Sequence, residues 1–262
     1  SARVMARAGA PNSKVEERLA EAVKAEPADM QIRVALIDFL LSRRDGKAAV
    51  LAAQAAAAVN PNAEEILERL GRAHLLNGDV QQAVSTYRKL LPLRPKAPEP
   101  YFMLSEAYLA ANDTASAETM LRQAVAVAPD NLAPYREQAR QFMKVRKTEA
   151  ALAVVRSFQK RQPKNPGGYL LESEIQSQAK NNDAGILALK AGLAAVDDTE
   201  LAVRLYRFLL ATNKATEAGS LANDWLKRKP ADVGFRRALG DMAMQSRSYE
   251  LAERHFQAVI KL

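Results

Sequence analysis

Apolar residues recur along the chain at three- and four-residue intervals, in short amphipathic runs broken by small polar turns. Tyr101, Leu104, Tyr108 and Leu109 mark one run, and Ala117, Leu121, Ala124 and Val125 mark the next. That spacing lays one apolar stripe along a helix. Asn77-Gly78-Asp79 and Asn112-Asp113 separate such runs, and these residue types tolerate a left-handed backbone or cap a helix. Prolines set a ruler: Pro27, Pro61, Pro95, Pro129 and Pro163 stand thirty-four residues apart, the next step lands on Asp197, and Pro230 follows thirty-three residues later. Proline lacks a backbone donor and biases its predecessor out of the α region, so the second helix of each pair must stop there. Pro98, Pro100, Pro134 and Pro166 fall instead in the first turn of the following helix, where proline is tolerated. The pattern predicts an all-α chain of stacked antiparallel helix pairs.

With each proline as position 32, units cover 30–63, 64–97, 98–131, 132–165, 166–198, 199–232 and 233–262, the last truncated, after a partial unit at 1–29. Position 20 reads Ala49, Ala83, Ala117, Ala151, Gly185, Ala218 and Ala252, small enough for two helices to cross closely. Position 7 reads Leu36, Leu70, Leu104, Gln138, Glu172, Leu205 and Leu239. Position 24 is Tyr87, Leu121, Val155, Leu189 and Phe256, with alanine at 53 and 222.

This arrangement resembles the tetratricopeptide repeat, most fully at Leu70-Gly71, His74, Ala83, Tyr87 and Pro95. The resemblance implies a right-handed superhelical solenoid over residues 1–262, whose units bury their faces only by stacking. The unit 166–198 departs from the pattern. It lacks the terminal proline, places Glu172 and Gln176 at apolar positions, and carries glycine at 185 and 192. A hinge is expected there. Residues 13–25, with Val15, Leu19 and Ala22 inward, read as a second helix whose partner before Gly9 is incomplete. The last helix stops at Leu262 with no polar cap. The sequence is therefore expected to be a slice of a longer array.

Composition narrows the chemistry. The 262 residues contain no cysteine and two histidines, which excludes disulfides and thiolate sites and leaves little for a zinc centre or a Ser-His-Asp triad. No apolar run is long enough to span a bilayer, and no signal peptide is visible. His74 occupies a packing position and reads as a buried structural histidine; His255, beside Phe256, reads as exposed. Glu16-Glu17, Glu64-Glu65 and Asp197-Asp198 lie near helix starts, where carboxylates complement the macrodipole. The glycines are scattered, with no phosphate loop. No enzyme and no cofactor is expected. The net charge of +8 comes partly from Lys24, Arg94, Lys160-Arg161 and Lys227-Arg228-Lys229. These sit at helix C-termini, where a cation offsets the dipole by roughly 0.3–1 kcal/mol. Aromatics occupy packing positions rather than one basic face, so nucleic acid is not an expected partner.

In the family resembled, positions 2, 5, 9, 12 and 13 of the first helix face a concave groove. Position 9 reads Asp38, Arg72, Glu106, Arg140, Glu174, Arg207 and Asp241, alternating in sign at every step. An inter-repeat charge ladder is expected. It reads either as stacking specificity, at ~0–1 kcal/mol per exposed pair, or as a groove set for a zwitterionic ligand. Position 5 reads Val34, Glu68, Phe102, Arg136, Leu170, Val203 and Arg237. Arg136, Arg140, Met143 and Lys144, flanked by Phe102 and Leu170, form the most basic inner patch. With Arg207 and Arg237 they make the candidate docking set for an acidic or amphipathic peptide. The lysine–asparagine carboxylate clamp of some repeats is absent, so chaperone tails are not implied.

A narrower resemblance is carried by Gly168-Tyr169-Leu170-Leu171-Glu172, Leu205-Tyr206-Arg207, Leu209-Leu210, Lys214-Ala215 and Asp224-Trp225-Leu226-Lys227. Tyr249 and Arg254-His255-Phe256 extend it. These residues resemble the tetratricopeptide-repeat lipoproteins of bacterial PEP-CTERM/exosortase gene clusters. The resemblance implies a periplasm-facing, outer-membrane-associated scaffold for exopolysaccharide export or protein sorting, anchored by a lipidated cysteine upstream of this sequence. Two functions stay open: docking of envelope proteins or peptides, and direct binding of polysaccharide in the groove.

Overall fold

The computed structural model describes residues 11–262; the expected incomplete helix before Gly9 lies outside the described residues. The chain divides into two compact units, one ending at Pro129 and the other running Asp130–Leu262. The first contains α1 (Asn12–Ala25), α2 (Met30–Ser42), α3 (Gly46–Val59), α4 (Glu64–Asn77), α5 (Val80–Arg88), α6 (Glu99–Ala110) and α7 (Thr114–Val127). The second contains α8 (Leu132–Lys144), α9 (Thr148–Arg161), α10 (Pro166–Gln178), α11 (Asn182–Ala195), α12 (Thr199–Ala211), α13 (Ala215–Arg228), α14 (Val233–Gln245) and α15 (Tyr249–Ile260). Within each unit the helices form antiparallel pairs that stack in chain order. No strand occurs among the described residues.

The turn inside each pair follows one recipe. Arg44, Gly78 and Asn112 in the first unit, and Arg146, Lys180, Asn213 and Arg247 in the second, all adopt positive φ between 58° and 85°. The next residue then donates its N–H to a carbonyl five residues back, as Asp79 does to His74 at 2.8 Å and Asn181 to Gln176 at 2.8 Å. These bonds close the first helix in a Schellman arrangement. Several turns also start the second helix: the side chain of Asp45 accepts from Ala48 N–H, and that of Asp113 from Ser116 N–H, each at 3.0 Å. Asp29, Asn131, Asn165, Asp198 and Asp232 cap first helices in the same way.

Each pair closes on a crossing between position 8 of its first helix and position 24 of its second. The occupants are complementary in size: Ile37 with Ala53, Gly71 with Tyr87, Ser105 with Leu121, Ala139 with Val155, Ser173 with Leu189, Tyr206 with Ala222, and Gly240 with Phe256. A Cβ on Gly71 would lie 2.2 Å from the Tyr87 ring, and one on Gly240 would lie 2.6 Å from Phe256. The buried hydroxyl of Ser105 has no hydrogen-bond partner, consistent with a residue kept for its small volume. Ala49, Ala83, Ala117, Ala151 and Ala218 at position 20 are all buried.

One expectation changes. The helix thought to run to Pro95 stops at Arg88, because Pro92 has no N–H for the Arg88 carbonyl and disfavours α geometry at Leu91. Residues 89–97 continue as hydrogen-bonded turns with Leu90 buried. In the candidate hinge unit 166–198 the irregular residues are used in packing: Gly185 lies against Phe208 and Gly192 against Tyr169, while Glu172 and Gln176 are buried with partners.

Gly71→Ala is expected to lower stability in urea unfolding by about 1–3 kcal/mol through overpacking, with Tyr87→Leu in the same chain recovering most of the loss. Arg146→Gly removes a Cβ from a left-handed turn that costs roughly 1–2 kcal/mol for an L-residue. Glycine's own backbone entropy returns part of that. The same assay should show a net gain below about 1 kcal/mol.

Candidate functional site

The second unit places α8, α10 and α12 side by side. One face of α10 is locked to the helices before it. Leu171 and Ile175 join Ala139, Ala151, Leu152 and Val155 in a buried cluster. Glu172, only 8% exposed, accepts from Arg156 Nε at 2.8 Å and from the Gln159 amide at 2.8 Å. The same amide also bonds the Gly168 carbonyl at 3.1 Å. The leucine position is thus filled by a carboxylate that α9 supplies with donors. The adjoining face of α10 presents Leu170, Glu174, Ser177 and Gln178 to two neighbouring cups.

The first cup, about 470 Å³, lies between α8 and α10 and includes Arg136, Ala139, Arg140, Met143, Lys144 and Ile175. The second, about 380 Å³, lies between α10 and α12 and includes Leu170, Glu200, Arg204, Arg207, Phe208 and Ala211. Arg136, Leu171, Glu174 and Gln178 line both, so the cups form one groove. Arg140 donates to Glu137 on its own helix, with Nε 2.9 Å from Oε2. Burial alone would raise the Glu137 carboxyl; bonds from Arg140 and Gln141, with the charges of Arg140 and Lys144, outweigh it and hold that group below the ordinary glutamate value. Arg136, Lys144, Arg204 and Arg207 make no ion pair among the described residues.

The corresponding groove of the first unit is balanced. A cavity of about 760 Å³ is lined by Asp38, Glu68, Arg69, Arg72 and Glu106 among others. Asp38 takes a two-bond contact from Arg69, at 2.7 and 2.9 Å. The first rung of the expected ladder therefore runs from position 9 to position 6 of the next unit, not to Arg72. Glu68 is held by Arg94 at 2.6 Å, which also binds Glu64.

Of the other expected site residues, Phe102 is partly buried on α6, and Arg237 and Asp241 are exposed on α14, outside both cups. Arg204, Glu200 and Phe208 were not anticipated. The signal for Arg204 and Phe208 was available, because positions 6 and 10 lie one residue round the helix from 5 and 9.

Remaining charges are largely engaged. Arg161 pairs with Asp130 at 2.7 Å, and Arg228 and Lys229 pair with Asp197 at 2.9 and 3.0 Å. Helix-end cations thus hold loops of the preceding repeat. A wider cavity of about 790 Å³ opens between α11 and α13 over Leu193, Leu205, Leu209 and Leu221. Its rim charges cancel in the pairs Lys190–Glu217 and Arg228–Asp197, each at 2.9 Å, so the smaller groove is the better candidate. His74 is buried against Asp79, its Nδ1 3.4 Å from the carboxylate. His255, expected to be exposed, is half-buried, and burial with the charges of Arg236 and Arg254 pushes its imidazole below the usual value. Among the described residues no cluster of three metal-ligating side chains occurs, and no helix is long and apolar enough to cross a membrane.

Two family models, each described as tetratricopeptide repeat, match residues 34–98 and 74–139. The fold is shared with a tetratricopeptide repeat protein from Parabacteroides merdae ATCC 43184, at 15% identity over 86% of this chain and 90% of that one, TM-score 0.50. Yeast Tom70 is similar at 15% identity, 96% of this chain and 55% of that one, TM-score 0.49. YrrB, a TPR protein described as having an unusual peptide-binding site, is similar at 14% identity, 73% and 99% coverage, TM-score 0.42. None of the curated proteins matches the sequence. The helix-pair architecture is that of tetratricopeptide-repeat proteins, whose repeats generally mediate protein–protein interaction.

Glu172→Ala should lower stability by about 1.5–3 kcal/mol in urea unfolding, the range for a hydrogen-bonded charge. Glu172→Leu should recover most of it, because Arg156, about half exposed, is free to turn to water and leucine fills the apolar space.

Proposed function

We propose that this chain is a non-catalytic scaffold that docks segments of other proteins in the groove formed by α8, α10 and α12. One observation carries the reading: four cations without ion-pair partners stand over an apolar floor, facing two carboxylates, Glu174 and Glu200. Uncompensated guanidinium groups beside exposed apolar surface favour an acidic or amphipathic partner, since arginine forks bind carboxylates in pairs of hydrogen bonds. No catalytic family matches the chain, and no cofactor is part of the proposal.

The setting we propose is the bacterial envelope, where the chain would hold together proteins of an exopolysaccharide export or PEP-CTERM sorting system. The reading rests on the resemblance to those lipoproteins of the residues quoted above between Gly168 and Phe256. Several of them are core positions in this fold, including Trp225, Leu205 and Leu209. In that setting the full-length protein faces the periplasm and reaches the outer membrane through an anchor outside this sequence.

The test is capture from a Gram-negative envelope extract with the chain as it stands and with Arg136→Glu/Arg207→Glu, both checked for equal helicity and unfolding midpoint. Identified export or sorting proteins should be retained by the first and lost by the second. Recovery of polysaccharide without protein, or equal capture by both chains, overturns the reading.

A further inference from the structure

The spacing of the two cups says what kind of segment they accept; this inference rests on the docking reading above. Each cup occupies one interval of the stack, and helices packed in contact lie roughly 8–10 Å apart. The apolar floors around Met143 and Ile175 on one side, and Leu170 and Phe208 on the other, are therefore about that far apart. A polyproline-II-like chain advances about 9 Å in three residues and returns its side chain to the same face. An α-helix covers that distance on one face only after about seven residues. A β-strand points residue i+3 away from the surface that residue i faces.

The polar lining separates the remaining two. Ser177 and Gln178 stand exposed along the second cup, and their hydroxyl and amide groups both donate and accept. An extended segment leaves its backbone N–H and C=O groups free for such partners, whereas a helix has spent them internally. Arg136 stands at the wall shared by both cups, Lys144 lines the first, and Arg204 and Arg207 line the second. Carboxylates between and beside two apolar anchors would meet them.

We infer that the groove selects an extended acidic segment with two large apolar side chains three residues apart, one for each cup. The arginines bind carboxylates flanking these anchors, and Ser177 and Gln178 bind the backbone between them. The balanced groove of the first unit, with Asp38 held by Arg69 and Glu68 by Arg94, offers no equivalent surplus.

The probe is a labelled peptide, acetyl-Glu-Asp-Leu-Asp-Glu-Leu-Asp-Glu-amide, followed by fluorescence anisotropy. Comparison peptides place the two leucines two or four residues apart, or seven apart on a helical host. The three-residue spacing should bind at least tenfold more tightly than any other, and replacing its acids by lysine should abolish binding. Arg136→Glu should weaken it tenfold or more, with Lys144→Glu, at an exposed position, giving a smaller loss if Arg136→Glu fails to fold. Equal affinity at every spacing, or tighter binding of the helical peptide, overturns the inference, and loss of that binding in Arg136→Glu would leave the docking reading standing. If no acidic peptide binds while envelope capture still depends on Arg136 and Arg207, the inference alone fails. If neither depends on them, both fail.

Discussion

The crossing of the two helices in each pair sets everything else. Where position 8 meets position 24, a small residue on one helix receives a larger one from the other, and which helix supplies the bulk changes from pair to pair. Gly71 receives Tyr87, Gly240 receives Phe256, and Tyr206 instead faces Ala222. Interiors packed at crystal-like density respond to a single methylene, so the distance between two helix axes is set by the two residues together rather than by either alone. Close crossings make compact pairs, and these pairs stack with their first helices side by side. The groove between α8, α10 and α12 is a consequence of that stacking.

The turns are the second constraint, and they show that backbone geometry rather than residue type is what repeats. Position 15 is left-handed in every described pair, yet only Gly78 is a glycine; four are arginine or lysine. An isolated L-residue disfavours that conformation. Here the Schellman bonds and the helix that restarts one residue later hold the backbone in place, so the side chain is free to vary. The pair 166–198 extends the argument to the core: Glu172 replaces a leucine without disrupting the stack because Arg156 and Gln159 on α9 satisfy it.

The all-α architecture was legible because its determinants are periodic. Prolines and alanines thirty-four residues apart state both the repeat and the small-residue crossing. What escaped was set by single residues that break the period or by contacts between periods. Pro92 ends α5 about two turns before the periodic proline, and nothing in a repeat average points to it. The ladder was drawn between equal positions, Asp38 to Arg72, whereas neighbouring first helices are offset, and Asp38 finds Arg69 three residues earlier. The same offset explains why Arg204 and Phe208, at positions 6 and 10, line a cup that the family pattern assigns to positions 2, 5, 9, 12 and 13. Arg136, Arg140, Met143, Lys144 and Leu170 could be placed on one face from sequence, but not divided between two cups.

Charge is distributed in a way that stability does not require. Exposed ion pairs contribute only about 0–1 kcal/mol each, while the apolar crossings carry the stack. Inner-face charges are therefore released from a structural role, and two grooves built on the same backbone are free to differ. In the first unit Asp38 is closed by Arg69 and Glu68 by Arg94, and the acidic and basic residues lining the groove are equal in number. In the second, Arg140 is held by Glu137, but Arg136, Lys144, Arg204 and Arg207 are left without ion pairs above apolar floors. Like charges gathered on one face repel each other, and removing them would cost the fold little. Glu174 and Glu200 offset only part of that charge, and the remaining surplus is the feature on which the proposed docking of an acidic segment rests.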